Sequence, residues 1–215
     1  GGASVIDPTG ADTGDRRVVR GGSWQDGATS LRSGARSFAS ASSRSIDLGF
    51  RVAKSVHAAD PRPLTQATIS GFVPSSGFLR IGPGTFTMGA LTSYPERLSN
   101  QLPNRAVTLS YHFEAQISEV TQAEFRSAFG VNPSTHYDCD NCPVENVSFW
   151  DALHYANHLS IQEGFTPCYQ MTGCTGVVGV DRECAGVTLD GEFSTVQDPQ
   201  HCQGYRLPTE AEWEY

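Results

Sequence analysis

The chain has 215 residues, among them 22 Gly and 12 Pro, with 38% hydrophobic residues and a formal charge of −8 at pH 7. That length buries one good core rather than two complete domains, and the Gly and Pro content argues against a helical bundle. The acidic balance excludes a general nucleic-acid binder, which needs a basic face for phosphates, and no apolar run is long enough to span a bilayer.

Residues 1–15 are rich in Gly, Asp and Thr and form a loop by composition. Val18 and Val19 ahead of Gly21 and Gly22 predict a short strand ending at a tight turn. Residues 25–45 carry Ser, Ala, Gly and Arg with few large apolar side chains, a composition that by itself looks disordered. A second strand is expected over residues 46–53. Residues 54–77 contain Pro61, Pro63 and Pro74 and suit a linker. Residues 79–88 are interrupted by Gly82, Pro83 and Gly84, which predicts strand, turn, strand. Residues 106–117 alternate well enough for one longer strand.

Three helix starts share one chemistry. Thr121 with Glu124, Ser148 with Asp151, and Thr209 with Glu212 each place a hydroxyl at an N-cap and a carboxylate three residues on. The hydroxyl accepts from an orphan N–H of the first turn, the acid reaches back, and its charge suits the positive helix end. Phe125 and Phe129 make an apolar stripe on the first helix; Phe149, Ala152, Leu153, Ala156 and Leu159 do so on the second. Short strands, few helices and long loops indicate an α+β domain, and no internal repeat is visible.

All six cysteines fall between Cys139 and Cys202. An even number in one stretch points to disulfides in an oxidising compartment. The C-x2-C spacing of Cys139 and Cys142 raises a zinc alternative, but Cys168, Cys174, Cys184 and Cys202 do not repeat it as a second ligand pair. Six cysteines leave 15 connectivities open. The expected set is Cys139–Cys142 locally, Cys174–Cys184 closing a hairpin loop, and Cys168–Cys202 across neighbouring strands.

Six segments carry a family resemblance. Arg17-Val-Val-Arg-Gly-Gly-Ser-Trp24 and Leu48-Gly-Phe-Arg-Val-Ala53 resemble the closing segments of the formylglycine-generating enzyme (sulfatase-modifying factor) family. Gly84-Thr-Phe-Thr-Met-Gly89, Glu119-Val-Thr121, Pro143-Val-Glu-Asn-Val-Ser148 and Arg206-Leu-Pro-Thr-Glu-Ala-Glu-Trp-Glu-Tyr215 resemble that family's opening half, in the family's order. The resemblance implies a loop-rich C-type-lectin-like fold, incomplete here. Residues 1–54 would be the C-terminal segment of such a domain, residues 55–77 a linker, and residues 78–215 the N-terminal half with a Cys-rich insertion. The family's middle, with its Gly-Asn-Val-Trp-Glu-Trp-like signature, would lie between these halves. A tandem array and a circular permutant both fit this order, because permutation succeeds where termini are exposed and close. A fragment of a longer, exported bacterial protein is the expectation, since neither an initiator Met nor a signal peptide opens the chain.

In the family's oxidases, a cysteine pair after the Gly-Gly-Ser-aromatic motif binds copper and drives oxidation of a target cysteine to formylglycine. Such chemistry needs soft thiolates. The matching catalytic positions here are Ser23, Asp26 and Leu31. Asp26 offers no thiolate and Leu31 no ligand atom, so copper is not expected, and Ser23 has the local backbone-bonding role common in Gly-rich turns. The family's calcium ligands lie largely in the middle segment; calcium is conceivable only for the complete domain. The acidic loop around Asp138 and Asp140 is expected to be a solvated turn stapled by a disulfide. His154 and His158 share a helix face with Asp151. They lack the His-Glu-x-x-His pattern and are expected on an exposed polar face rather than as metal ligands. Trp24, Trp150 and Trp213 are expected in the core, and Arg20, Arg51 and Arg206 paired with Glu119, Glu210 or Glu212.

These expectations add up to an extracellular or periplasmic non-oxidase module. It would bind an unidentified protein or glycan ligand, with no nucleic-acid partner and no membrane span. The alternative is a piece of an active formylglycine-generating oxidase whose catalytic cysteines lie outside this chain.

Overall fold

A computed structural model describes residues 3–8, 14–56, 77–90, 101, 104–189 and 201–215. Eleven short strands and three helices appear among them. Most of the linker expected at 55–77 lies outside the described residues.

The central sheet has four antiparallel strands: β4 (Ala53–Val56), β5 (Phe78–Ile81), β8 (His112–Gln116) and β11 (Tyr205–Arg206). Their order is β11-β4-β8-β5. Ala53 pairs with Ala115 on one side and Arg206 on the other, so the early chain is inserted between two later strands. Three strands form a second sheet: β1 (Val5–Ile6) runs parallel to β7 (Arg105–Leu109), and β6 (Gly84–Met88) pairs antiparallel with β7. Two hairpins complete the β structure: β2 (Arg16–Arg20) with β3 (Arg36–Ser40), and β9 (Tyr169–Thr172) with β10 (Gly186–Leu189).

All three helices, α1 (Gln122–Phe129), α2 (Phe149–Gln162) and α3 (Glu210–Glu214), begin with a complete capping box. Each cap hydroxyl accepts an N3 backbone N–H and each N3 carboxylate accepts the cap N–H, so two orphan donors are satisfied at once. Gly130 ends α1 in the left-handed region, φ 73°, where a residue without Cβ costs least. Phe125, Tyr155, Ala156, Val52, Val120, Val144 and Tyr205 form the main core cluster, with Phe50 and Phe129 packed on it. A smaller cluster of Met88, Val107, Leu109, Phe113 and Ala211 lies under β6, β7 and α3.

Several sequence expectations are corrected. The strand expected over 46–53 begins only at Ala53 and runs to Val56. Residues 50 and 52 do reach the late chain, but outside the strand ladder: Val120 N–H donates to Phe50 O at 2.9 Å, Gln116 N–H donates to Val52 O at 3.0 Å, and Val52 N–H donates to Gln116 Oε1 at 3.1 Å. The strand expected over 106–117 is two strands, β7 and β8, in different sheets. Residues 25–45 are ordered around β3; their polar groups find partners on the late chain, as where Phe149 N–H donates to Ala41 O at 3.1 Å. No helix is long and apolar enough to cross a membrane among the described residues.

Candidate functional site

The turn after β2 shapes the site. Gly21 and Gly22 have φ of 91° and 65°, so the chain reverses where a Cβ would be strained. A Cβ on Gly21 would stand 2.7 Å from Trp213 Cζ2, and one on Gly22 would stand 2.8 Å from Leu31 Cδ2. The glycines let the backbone lie against Trp213 and Leu31, and deliver Ser23 and Trp24 to the rim of a cleft.

That cleft has a volume of about 1230 Å³ and runs between the 17–52 stretch and the later chain. Trp24, Leu31, Ile117, Trp213 and Tyr215 line it, and all five are exposed, Trp24 at 68% and Leu31 at 54%. The core placement expected for Trp24 and Trp213 is therefore corrected, while Trp150 is buried. An exposed apolar cluster confined to one concavity is the usual mark of a binding surface.

Several polar groups of the cleft already have partners within the protein. Ser23 Oγ donates to Asp26 Oδ2 at 2.8 Å and accepts Gln25 N–H at 3.2 Å. Trp24 Nε1 donates to Ile46 O at 3.2 Å, and its ring meets His136 edge-on at 5.6 Å between centroids. His136 N–H donates to Glu145 at 2.8 Å. Arg51 grips Glu119 Oε1 with two donors, at 3.1 and 2.7 Å, and its guanidinium lies 5.8 Å from the Trp213 ring centroid.

Behind the cleft wall, Arg206 and Glu212 form a buried bidentate pair at 2.6 and 2.7 Å. Burial works against ionising either group, and their mutual attraction outweighs it. Glu212, also held by the Thr209 N–H and the Tyr111 hydroxyl, is kept below the ordinary carboxylate range, and Arg206 is raised. The other expected arginine pairs also form: Arg51 with Glu119, and Arg20 with Glu210 at 3.6 Å. Arg20 has a second partner, Glu214, which the sequence reading did not single out. Its signal was its position on the opposite end of α3 from the cap.

The structure pairs Cys139 with Cys142, Cys168 with Cys202, and Cys174 with Cys184. No thiol is free in the chain. The acidic loop does not gather ligands for a cation: Asp140 is held by Arg126 at 2.6 Å. Asp151, His154 and His158 do not converge either. Asp151 is spent on the α2 cap, on Arg44 and on the Gly179 N–H at 2.8 Å. His158 packs its ring on Phe129 at 5.5 Å. Both histidines are half-buried rather than on an open polar face. Burial and the nearby Arg182 lower the His154 pKa, with Asp151 opposing them.

The family described as "Sulfatase-modifying factor enzyme 1-like domain" matches residues 3–56 and 67–215. The chain belongs to this family. Among curated proteins it is similar to the "Chaperone protein LppX" of Paenibacillus barcinonensis, 35% identical over 116 residues, which is 52% of this chain and 38% of that protein. The chain thus spans well under half the length of that relative. No solved structure matches it significantly.

At Ser23, Asp26 and Leu31, which the resemblance implies as counterparts of the oxidases' active-site positions, no side chain supplies a sulfur ligand for copper. Asp26 is bound to Ser23, Leu31 is an aliphatic side chain lining the cleft, and every sulfhydryl of the chain is committed to a disulfide. A soft monovalent ion finds no thiolate there.

Proposed function

We propose that this chain is a non-oxidase binding module of the sulfatase-modifying factor family, on a C-type-lectin-like scaffold, and that its cleft takes an extended polypeptide segment. The observation that carries this reading is the gathering of Trp24, Leu31, Ile117, Trp213 and Tyr215, all exposed, in one concavity. Exposed aromatics beside internally paired polar groups suit a partner recognised by apolar contact rather than by a fixed hydrogen-bond code. The name of that relative, a chaperone protein, supports a polypeptide partner over a glycan.

In this proposal residues 1–54 act as the closing segment of a family domain, packed on residues 78–215 as its opening half. The insertion of β4 between β8 and β11 supports that pairing. The protein would work outside the cytoplasm of a bacterium, in the extracellular space or periplasm. Three disulfides support an oxidising compartment, and the bacterial source of the relative supports the rest.

The test is fluorescence anisotropy of a labelled, reduced and alkylated polypeptide, alongside a glycan array. Saturable polypeptide binding, weakened about tenfold or more by Trp24→Ala with Trp213→Ala, is the expected result. Binding of glycans alone would overturn the choice of ligand. Aldehyde formation on a Cys-containing sulfatase-type peptide in the presence of Cu(I) would overturn the non-oxidase assignment and restore the oxidase alternative.

A further inference from the structure

We propose that reduction of the Cys174–Cys184 disulfide converts this corner of the fold into a zinc site with His154 as the third ligand. A ligand nitrogen of His154 and the sulfurs of Cys174 and Cys184 all lie within 4.8 Å of one another, and no other such group of three occurs among the described residues. Zinc holds thiolate sulfur at about 2.3 Å and imidazole nitrogen at about 2.0 Å, so ligand atoms of a tetrahedral site stand about 3.5–3.8 Å apart. The existing cluster needs only a short adjustment.

Two features prepare the site. The first is His154 Nε2, which is buried and has no hydrogen-bond partner among the described residues. A buried ring nitrogen without a partner is costly unless something fills the role, and in this proposal zinc bound through that nitrogen fills it.

The second is the backbone around the two cysteines. Thr175 and Glu183 exchange N–H···O bonds at 2.8 and 3.1 Å, and on the other side Ala185 N–H donates to Thr172 O at 2.9 Å. The β9–β10 ladder continues from Gly186 opposite Thr172. Cys174 and Cys184 therefore stay opposite each other when the covalent bond opens. His154 comes from α2, whose N-terminus is fixed by the Ser148–Asp151 capping box. Asp151 also binds the Gly179 N–H, within the loop that joins the two cysteines. That bond ties helix to hairpin independently of sulfur.

The chemistry balances as an exchange. An external dithiol reductant gives two electrons and two protons to the Cys174–Cys184 bond and leaves as its own disulfide. Zinc then displaces the two thiol protons and binds two thiolates and one neutral imidazole, with a fourth position open to water. The bound set is neutral overall, so the nearby Arg182 guanidinium does not oppose it.

The experiment uses the full chain reduced with a phosphine, and Co²⁺ as the spectroscopic stand-in for Zn²⁺. Reduced protein is expected to take one equivalent of Co²⁺ with sulfur-to-metal charge-transfer bands, which Zn²⁺ displaces, whereas the oxidised protein shows none. His154→Ala should weaken binding about tenfold or more without changing the thiol count. Cys139→Ser with Cys142→Ser removes the competing C-x2-C pair and should leave the site intact. The proposal is overturned if that double variant abolishes the bands, if Cys174→Ser with Cys184→Ser keeps them, or if His154→Ala binds as tightly as the parent. Loss of the native circular dichroism on reduction, with no bands at any Co²⁺ concentration, overturns it too.

Discussion

Arg20 and Glu214 are 194 positions apart in the chain and form an ion pair whose side chains are only 4% and 5% exposed. Glu214 also accepts the Gly89 N–H at 2.6 Å, and Arg20 donates to Ala35 O at 2.9 Å. The pair thus joins β2, the β6 end and α3 at one point. Removing one partner leaves a buried charge uncompensated, at a cost of about 3–5 kcal/mol. Arg20→Met is therefore expected to destabilise the fold strongly in urea titrations, and Arg20→Met with Glu214→Met to recover much of that loss. A single variant as stable as the parent would show that the pair contributes nothing.

Glu212 predicts a pH dependence of definite sign. Its carboxyl is held below the ordinary range by Arg206 against the opposing effect of burial. A depressed folded pKa contributes stability that is complete above the unfolded value, about 4.3, and is lost as pH falls through the folded one. The parent should therefore lose stability in acid faster than Glu212→Gln does. The gap between them, measured by denaturation from neutral pH downward, should narrow below about pH 4. A gap that stays constant to pH 2 would mean that Glu212 is not ionised in the pair.

What could be read in advance follows the range of the interactions concerned. The capping boxes at Thr121, Ser148 and Thr209 were legible because hydroxyl and acid are three residues apart and act on one helix turn. The break between β7 and β8 was not. Ser110 at that turn donates its N–H to the Asp7 carboxylate at 2.7 Å, and Asp7 N–H donates to Thr108 O at 2.8 Å. The residue that fixes the turn is over a hundred positions away, so the alternation of residues 106–117 carries no trace of it. Trp24 and Trp213 failed for a related reason. An aromatic beside a glycine turn suits a core or a cleft equally, and the cleft exists only once the 17–52 stretch meets the late chain. Ser23, Asp26 and Leu31 were legible as chemistry, since none supplies sulfur, but nothing marked Ser23 and Leu31 as lining an apolar concavity.

The disulfides should differ in worth. Cys168 and Cys202 close a separation of 34 residues, Cys139 and Cys142 one of 3. The chain-entropy account gives about 3–4 kcal/mol for the long loop and about 1.5 kcal/mol for the short one. Cys168→Ala with Cys202→Ala is expected to lower the melting temperature well beyond Cys139→Ala with Cys142→Ala. Equal shifts would place the stabilisation in local packing rather than in loop closure.

Asp151 connects three separate pieces of chain. It caps α2 through Ser148, receives the Gly179 N–H, and pairs with Arg44 while fully buried. Asp151→Ala removes a helix cap and strands the Arg44 charge, so the expected loss is about 3–5 kcal/mol. Ser148→Ala, which keeps the carboxylate and its other bonds, should cost about 1–2 kcal/mol. Similar losses from the two variants would mean that Asp151 acts only as a cap and that Arg44 and Gly179 are indifferent to it.

Binding and stability should separate at Trp24. The side chain is 68% exposed, with a single hydrogen bond to Ile46 O and an edge contact to His136. Trp24→Ala is expected to cost no more than about 1 kcal/mol of stability while weakening polypeptide binding markedly. Gly21→Ala makes the complementary test from beneath the cleft. A methyl group there, at φ 91°, meets the Trp213 ring at 2.7 Å. It must push the indole out of place and adds backbone strain of about 1–3 kcal/mol. Tryptophan emission should therefore shift in Gly21→Ala, and binding should fall although no ligand-facing side chain has been removed. If Trp24→Ala unfolds the protein, or Gly21→Ala leaves both emission and binding unchanged, the aromatic wall of the cleft is not the surface that meets the partner.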